Sequence, residues 1–221
     1  VTEAHPGAEE RTLSRILNFS DAVFAIVLTL LALELRLPEA TGAVDLAEAL
    51  VELVPKFIAF TSSFALVIIF WAGHVTILRR LVHFDWPVAW VNALFLLVIA
   101  FMPFASSLIG EGAVIGLAWT LYCGVLVAAS IAQIMLVLCV ARDGGRLVGG
   151  MTARQLAWRG LRSLSPGIAF GIGLALNLLG QPQYSVWCWT LIPPLMALSG
   201  LLFGPRRQPR PRSGDTHHFQ P

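Results

Sequence analysis

Apolar runs of about twenty residues recur along this chain, separated by short stretches in which charge, glycine and proline collect. A helix of that length, rising ~1.5 Å per residue, matches a hydrocarbon core of roughly 30 Å. The pattern predicts spanning helices over residues 16–35, 57–77, 88–109, 113–140, 164–179 and 187–203. Residues 44–54 alternate acids with Leu and Val at helical spacing, so this segment is expected to extend the second helix above the membrane or lie on its surface. Pro103, Pro193 and Pro194 predict bends, and Gly167 and Gly171 form a small-xxx-small pair that permits close helix contact.

Composition agrees with that reading. Hydrophobic residues make up 57% of the 221 positions and charged residues only 13%, with a mean hydropathy of +0.75. Soluble domains carry roughly 25% charge. The expectation is therefore an all-α polytopic membrane protein, a six-helix unit over residues 1–204 followed by a tail, 205–221, too polar to pack a core and expected to be disordered. Recurrent spans exclude a single cleaved signal peptide or one lone anchor.

Charge adds a direction. Thirteen of the fifteen basic residues fall before the first span, after the second, between the fourth and fifth, or after the sixth, leaving only Arg36 and Lys56 for the other face. The positive-inside rule then places both termini in the cytoplasm of a multi-pass protein of the cell membrane. Trp86, Trp90 and Trp158 fall near the cytoplasmic ends and Trp119, Trp187 and Trp189 near the outer ends, as interfacial anchors do. In such a protein a net charge of +2 reports topology, not a nucleic-acid partner. Cys123, Cys139 and Cys188 all sit in apolar runs with no metal or disulfide spacing, and His217 and His218 read as solvated tail residues.

Polar groups inside the spans need a reason, because an ionisable side chain near a bilayer centre costs roughly 2.5 to 3.5 kcal/mol on insertion scales. Asp21 lies six residues past Arg15, His74 five before Arg79, and Asn92 seven past Asp85, so all three sit about 7 to 11 Å inside their flanking charges. A carboxylate, an imidazole and an amide at one depth are expected to satisfy one another as an interhelical network. The alternative is a proton relay through Asp21 and His74, as in a secondary transporter or proton-coupled carrier. No further Asp, Glu or Lys in the remaining spans would continue such a path.

Helical phase separates two faces of the first span. At ~100° per residue from Ile26, Leu30 lies at about +40°, Leu33 at about −20° and Thr29 at about −60°, whereas Ser20 lies near +120° and Asp21 near −140°. One face is an aliphatic stripe with a single hydroxyl. The other carries the polar groups expected to meet the second and third spans.

Arg15, Phe19, Ser20 and Asp21 spell RxxxFSD, followed by Trp71 and His74 as WxxH in the second span and by Asn92, Phe95-Leu-Leu and Pro103-Phe104 in the third. In these residues the chain resembles the transmembrane protein 175 family of potassium channels, whose signature opens the first helix. The resemblance implies a potassium-preferring cation channel without the TVGYG filter, a motif this sequence does not contain. A single six-span repeat is similar to the prokaryotic members, which implies a homotetramer with the first helices around the pore. It further implies a constriction at Ile26, with Thr29, Leu30 and Leu33 as neighbouring pore positions, and a hydrogen-bonded structural role for Arg15, Phe19, Ser20, Asp21, Trp71, His74 and Asn92.

A ring of branched aliphatic side chains conducts only when wide enough to wet, so gating is expected at the ring and selectivity from dehydration, which potassium tolerates better than sodium. The expected partners are the protein's own copies, the bilayer and monovalent cations, with potassium as the permeant ion and no cofactor or metal. An intramembrane enzyme is excluded by the lack of HExxH, GxSxG or paired intramembrane aspartates.

Overall fold

The computed structural model describes residues 6–36, 46–110, 116–142, 147 and 153–203. The predicted tail at 205–221, with His217 and His218, and residues 44 and 45 lie outside them. Among the described residues the chain is helical and has no strand. The elements are α1 (Pro6–Leu33), α2 (Leu46–Glu52), α3 (Val54–Leu78), α4 (Trp86–Ala100), α5 (Met102–Gly110), α6 (Leu117–Val140), α7 (Ala153–Leu178) and α8 (Pro182–Ser185), then a 3₁₀ turn (Val186–Leu191) and α9 (Ile192–Phe203).

Five stretches are long and apolar enough to cross a membrane: Glu9–Leu33, Ala49–Leu78, Trp86–Gly110, Leu117–Val140 and Pro182–Leu202. The remaining predicted span is represented by Leu164–Leu178, an apolar segment about 22 Å long that ends the longer helix α7. The first ten residues of α7 carry Arg154, Arg159 and Arg162, so this helix starts well before the predicted position 164.

Local chemistry explains the interruptions. Backbone bonds from Leu53 N–H to Ala49 O (3.2 Å) and from Phe57 N–H to Leu53 O (2.9 Å) carry α2 into α3, so residues 46–52 extend the second helix. Pro103 has no N–H for the carbonyl of Ile99, and the third span divides into α4 and α5 at Phe101. Pro193 and Pro194 likewise deny donors to Trp189 and Thr190. The chain answers by tightening, with Ile192 N–H bonded to Trp189 O, so the last span is a short helix, a 3₁₀ turn and α9 in place of one regular helix. Gly180, at φ 75°, ends α7 in the left-handed conformation, and Gln181 N–H closes the turn on Leu176 O at 2.9 Å.

α6 is the packing centre, touching α3, α4, α5 and α7, while α1 leans on α3, α4 and α5. The main core runs through Phe24, Leu66, Phe70, Phe95, Tyr122 and Phe170. At the arginine-bearing end Arg142 pairs with Asp85 (2.9 Å) and His83 with Glu9 (3.3 Å). At the opposite end Asn177 donates to Thr120 Oγ1 at 2.8 Å. A Cβ at Gly167 would fall 2.5 Å from that of Ser130, whereas one at Gly171 would meet nothing nearer than Val127 at 3.9 Å. Close approach of α7 to α6 therefore depends on Gly167, and much less on the Gly171 paired with it in sequence.

Candidate functional site

α1 is packed on one side only. Within its most apolar window 22% of residues are buried, against 56% for α6, so α1 keeps a long apolar face free of its own chain. Ser20, Phe24, Val27 and Leu31 are buried at 0–2% exposure. Ile26, Leu30 and Leu33 are 57%, 41% and 60% exposed on the opposite face, at the spacings i, i+4 and i+7. Thr29 is exposed beside them, its hydroxyl donating to Ile26 O at 2.7 Å. That bond spends the hydroxyl hydrogen and leaves the oxygen's acceptor capacity facing outward.

The polar residues form two links in place of the single network expected. Asn92 Nδ2 donates to Ser20 Oγ at 3.0 Å, and Ser20 Oγ donates to Ile16 O at 2.9 Å. Asn92 Oδ1 lies 2.6 Å from His74 Nε2. Because that amide oxygen can only accept, His74 carries its proton on Nε2. His74 Nδ1 is then a bare acceptor, buried without a hydrogen-bond partner. The imidazole stacks on Phe95 (centroids 5.4 Å, 16°) and tilts against Phe24 (5.5 Å).

Asp21 does not join this chain; its carboxylate accepts from Trp71 Nε1 at 2.9 Å at the exposed edge of the bundle. The expectation that Asp21, His74 and Asn92 satisfy one another is corrected accordingly. The reason is rotational: Ser20 sits at the middle of the buried face of α1, while Asp21, ~100° farther round, falls at its rim. Arg15 and Phe19, eleven and seven residues before Ile26, come round to about −20° and +20°, on the exposed stripe itself. Phe19 is 61% exposed, Arg15 is exposed, and among the described residues neither side chain has a hydrogen bond.

Other buried polar contacts are not evident from spacing. Ser63 donates to Ser106 (2.9 Å) and contacts Tyr122 Oη (3.1 Å), joining α3, α5 and α6. Gln133 Nε2 donates to Phe70 O at 2.9 Å, and Trp119 donates to Ser185. Hydroxyls satisfy themselves on their own helix so readily that their sequence positions carry little signal. Gln133, an amide within an apolar run, was the legible one. Among the described residues no group of three His, Cys, Asp or Glu is placed to hold a metal.

These features define a multi-pass, all-helical membrane protein whose first helix is bonded to its neighbours on one face and apolar and uncovered on the other. Residues 15–103 match the family model described as the endosomal/lysosomal potassium channel TMEM175. A potassium channel of Chamaesiphon minutus is 34% identical over 186 residues, covering 81% of this chain and 88% of that one. A potassium channel of Streptomyces collinus is 34% identical over 97 residues, 44% of this chain and 47% of that protein. The crystal structure of a lysosomal potassium-selective channel TMEM175 homolog from Chamaesiphon minutus superposes with a TM-score of 0.69 at 28% identity, covering 86% of this chain and 98% of that chain. The chain belongs to the TMEM175 family of potassium channels; it is a membrane channel, not an enzyme.

Proposed function

We propose that four copies of this chain form a potassium-preferring cation pore in the cell membrane, with α1 of each subunit facing the axis and Ile26 forming the narrowest ring. The observation that carries this reading is the uncovered stripe of Ile26, Thr29, Leu30 and Leu33 on α1, in register with the RxxxFSD residues and opposite the packed face. An apolar face of this kind in one chain needs lipid, other copies or a pore beside it. The relatives from Chamaesiphon minutus and Streptomyces collinus are named potassium channels, which favours the pore.

In this arrangement the constriction is made of side chains, and no TVGYG carbonyl filter is present. Conduction requires the Ile26 ring to widen until it wets, and the dehydration penalty there favours potassium over the more tightly hydrated sodium. The outward-facing Thr29 oxygens replace part of the lost hydration. The arginine distribution supports cytoplasmic termini. The carrier alternative draws little support, since its two coupling groups, Asp21 and His74, hold different partners, Trp71 and Asn92.

The test is a recording from purified protein in liposomes under opposed potassium and sodium gradients, with Ile26→Asn in parallel. The wild type should give currents reversing toward the potassium equilibrium potential. Ile26→Asn should raise conductance and relax the preference for potassium. An unchanged ion preference in a conducting variant removes Ile26 from the constriction.

A further inference from the structure

A crevice of about 140 Å³ opens between α3, α6 and α7 near the arginine-bearing end of the bundle. Its depth follows from residue counts. Gly73 and Thr76 line it from α3, six and three residues before Arg79, hence about 9 and 5 Å inside the charged end. From α7 it is lined by Trp158, Arg162 and Pro166, just where that helix passes from its basic first turns into the apolar segment Leu164–Leu178. The crevice therefore spans the boundary between the apolar band and the charged rim.

Two of its lining residues withhold atoms. Gly73 has no Cβ; one placed there would fall 2.7 Å from Gln133 Nε2, so the Gln133 amide packs directly against α3 because position 73 is glycine. Pro166 has no N–H, so the carbonyl of Arg162 is left without its helical donor at the crevice wall.

The chemistry of the lining is one-sided. The Arg162 guanidinium stands 5.7 Å from the centroid of the Trp158 ring, a cation-π placement that leaves its N–H groups available. Among the described residues no carboxylate lines the crevice, and neither ion pair, Arg142–Asp85 nor His83–Glu9, involves Arg162. Ile69 and Ile77 supply apolar wall, Ile69 the deeper of the two from the charged end. A planar cation held over an indole, with an apolar wall leading into the membrane, fits an anion that carries an apolar body.

We infer that this crevice is a binding site for a phosphate ester, with Arg162 as the anion ligand, Trp158 as the platform that orients it, and the wall toward Ile69 accommodating the ester's apolar part. A membrane phospholipid and a soluble phosphate ester share this chemistry. The site also touches the helix that holds α1: Ala72 and Gly73 line the crevice, and their neighbours Trp71 and His74 bond to Asp21 and Asn92. Occupancy thus bears on the turn of α3 that fixes α1.

The experiment is a native mass-spectrometric titration of the purified full chain with dioleoyl-phosphatidylglycerol, dioleoyl-phosphatidylcholine and glycerol 3-phosphate, using wild type, Arg162→Gln and Arg79→Gln. Arg162 and Arg79 are both exposed, so the two variants change net charge equally without entering the core. Phosphatidylglycerol should bind the wild type and Arg79→Gln roughly tenfold more tightly than Arg162→Gln, as expected for loss of a charge-assisted hydrogen bond. If glycerol 3-phosphate binds with the same dependence on Arg162, the ester is taken from solution; if only the lipid does, it is taken from the bilayer. Equal weakening by Arg79→Gln and Arg162→Gln, or no dependence on either, overturns the site.

Discussion

Asn92 is the hinge of the contact that holds α1, and its replacement gives a quantitative test of that geometry. The amide is 3% exposed and spans two helices, donating to Ser20 Oγ at 3.0 Å and accepting from His74 Nε2 at 2.6 Å. Asn92→Leu keeps the branching of the side chain while removing both bonds. Interhelical hydrogen bonds in membrane proteins average ~0.6 kcal/mol each, so the bonds themselves account for about 1 kcal/mol. The larger effect is on the residue left behind. With Nδ1 already unpartnered, His74 would hold no hydrogen bond among Phe24 and Phe95, a further cost of about 1–3 kcal/mol.

The single variant should therefore lose about 2–4 kcal/mol, because two bonds vanish and one polar group is orphaned. His74→Phe/Asn92→Leu removes the orphan along with the bond and keeps the stack on Phe95, while Ser20 retains its bond to Ile16 O. The double variant should accordingly be more stable than Asn92→Leu alone, with a coupling of about 1–3 kcal/mol. With His74→Phe as the second single variant, equilibrium unfolding by SDS titration in mixed micelles measures all three. Strict additivity, or a single-variant loss below about 0.5 kcal/mol, would refute the claim that this contact anchors α1.

Two further outcomes are expected in the same assay. Gly167→Ala drives a methyl into Ser130 and should lose about 1–3 kcal/mol through overpacking, whereas Gly171→Ala, with 3.9 Å of clearance to Val127, should stay within about 0.5 kcal/mol of wild type; equal effects would discount the close approach of α7 to α6. The pair between Arg142 and Asp85 has its side chains 50% and 28% exposed, so Asp85→Asn should cost less than about 1 kcal/mol and the loss should shrink as salt rises; a larger, salt-independent loss would mean that Asp85 does more than pair with Arg142.

Much of the arrangement of α1 was legible before any coordinates. The rise of ~1.5 Å and turn of ~100° per residue are properties of every α-helix, so Ile26, Leu30 and Leu33 separate from Ser20 along any helical course through these residues. The same arithmetic puts Asp21, His74 and Asn92 at one depth. It does not say which of them touch. Ser20 reaches Asn92 and Asp21 turns to Trp71 because α1 is rotated about its own axis by the packing of Phe24, Val27 and Leu31, which bury only one narrow face. Arg15 and Phe19 illustrate the same limit: a motif read along the chain joined them to Ser20 and Asp21, while the helix carries them round to the uncovered stripe.

By itself the sequence determined the helical class, the number and order of apolar segments, the end at which arginines gather and the two faces of α1. Each of these depends on hydropathy and on the fixed geometry of one helix. Tertiary structure alone decided the hydrogen-bond partners, the 3₁₀ course of the last span before Pro193, the dependence of the α6–α7 contact on Gly167, and the crevice beside Gly73, Gln133 and Arg162. Those depend on how helices far apart in sequence rotate and approach until side chains interlock, which is a property of the packed bundle and of no single segment.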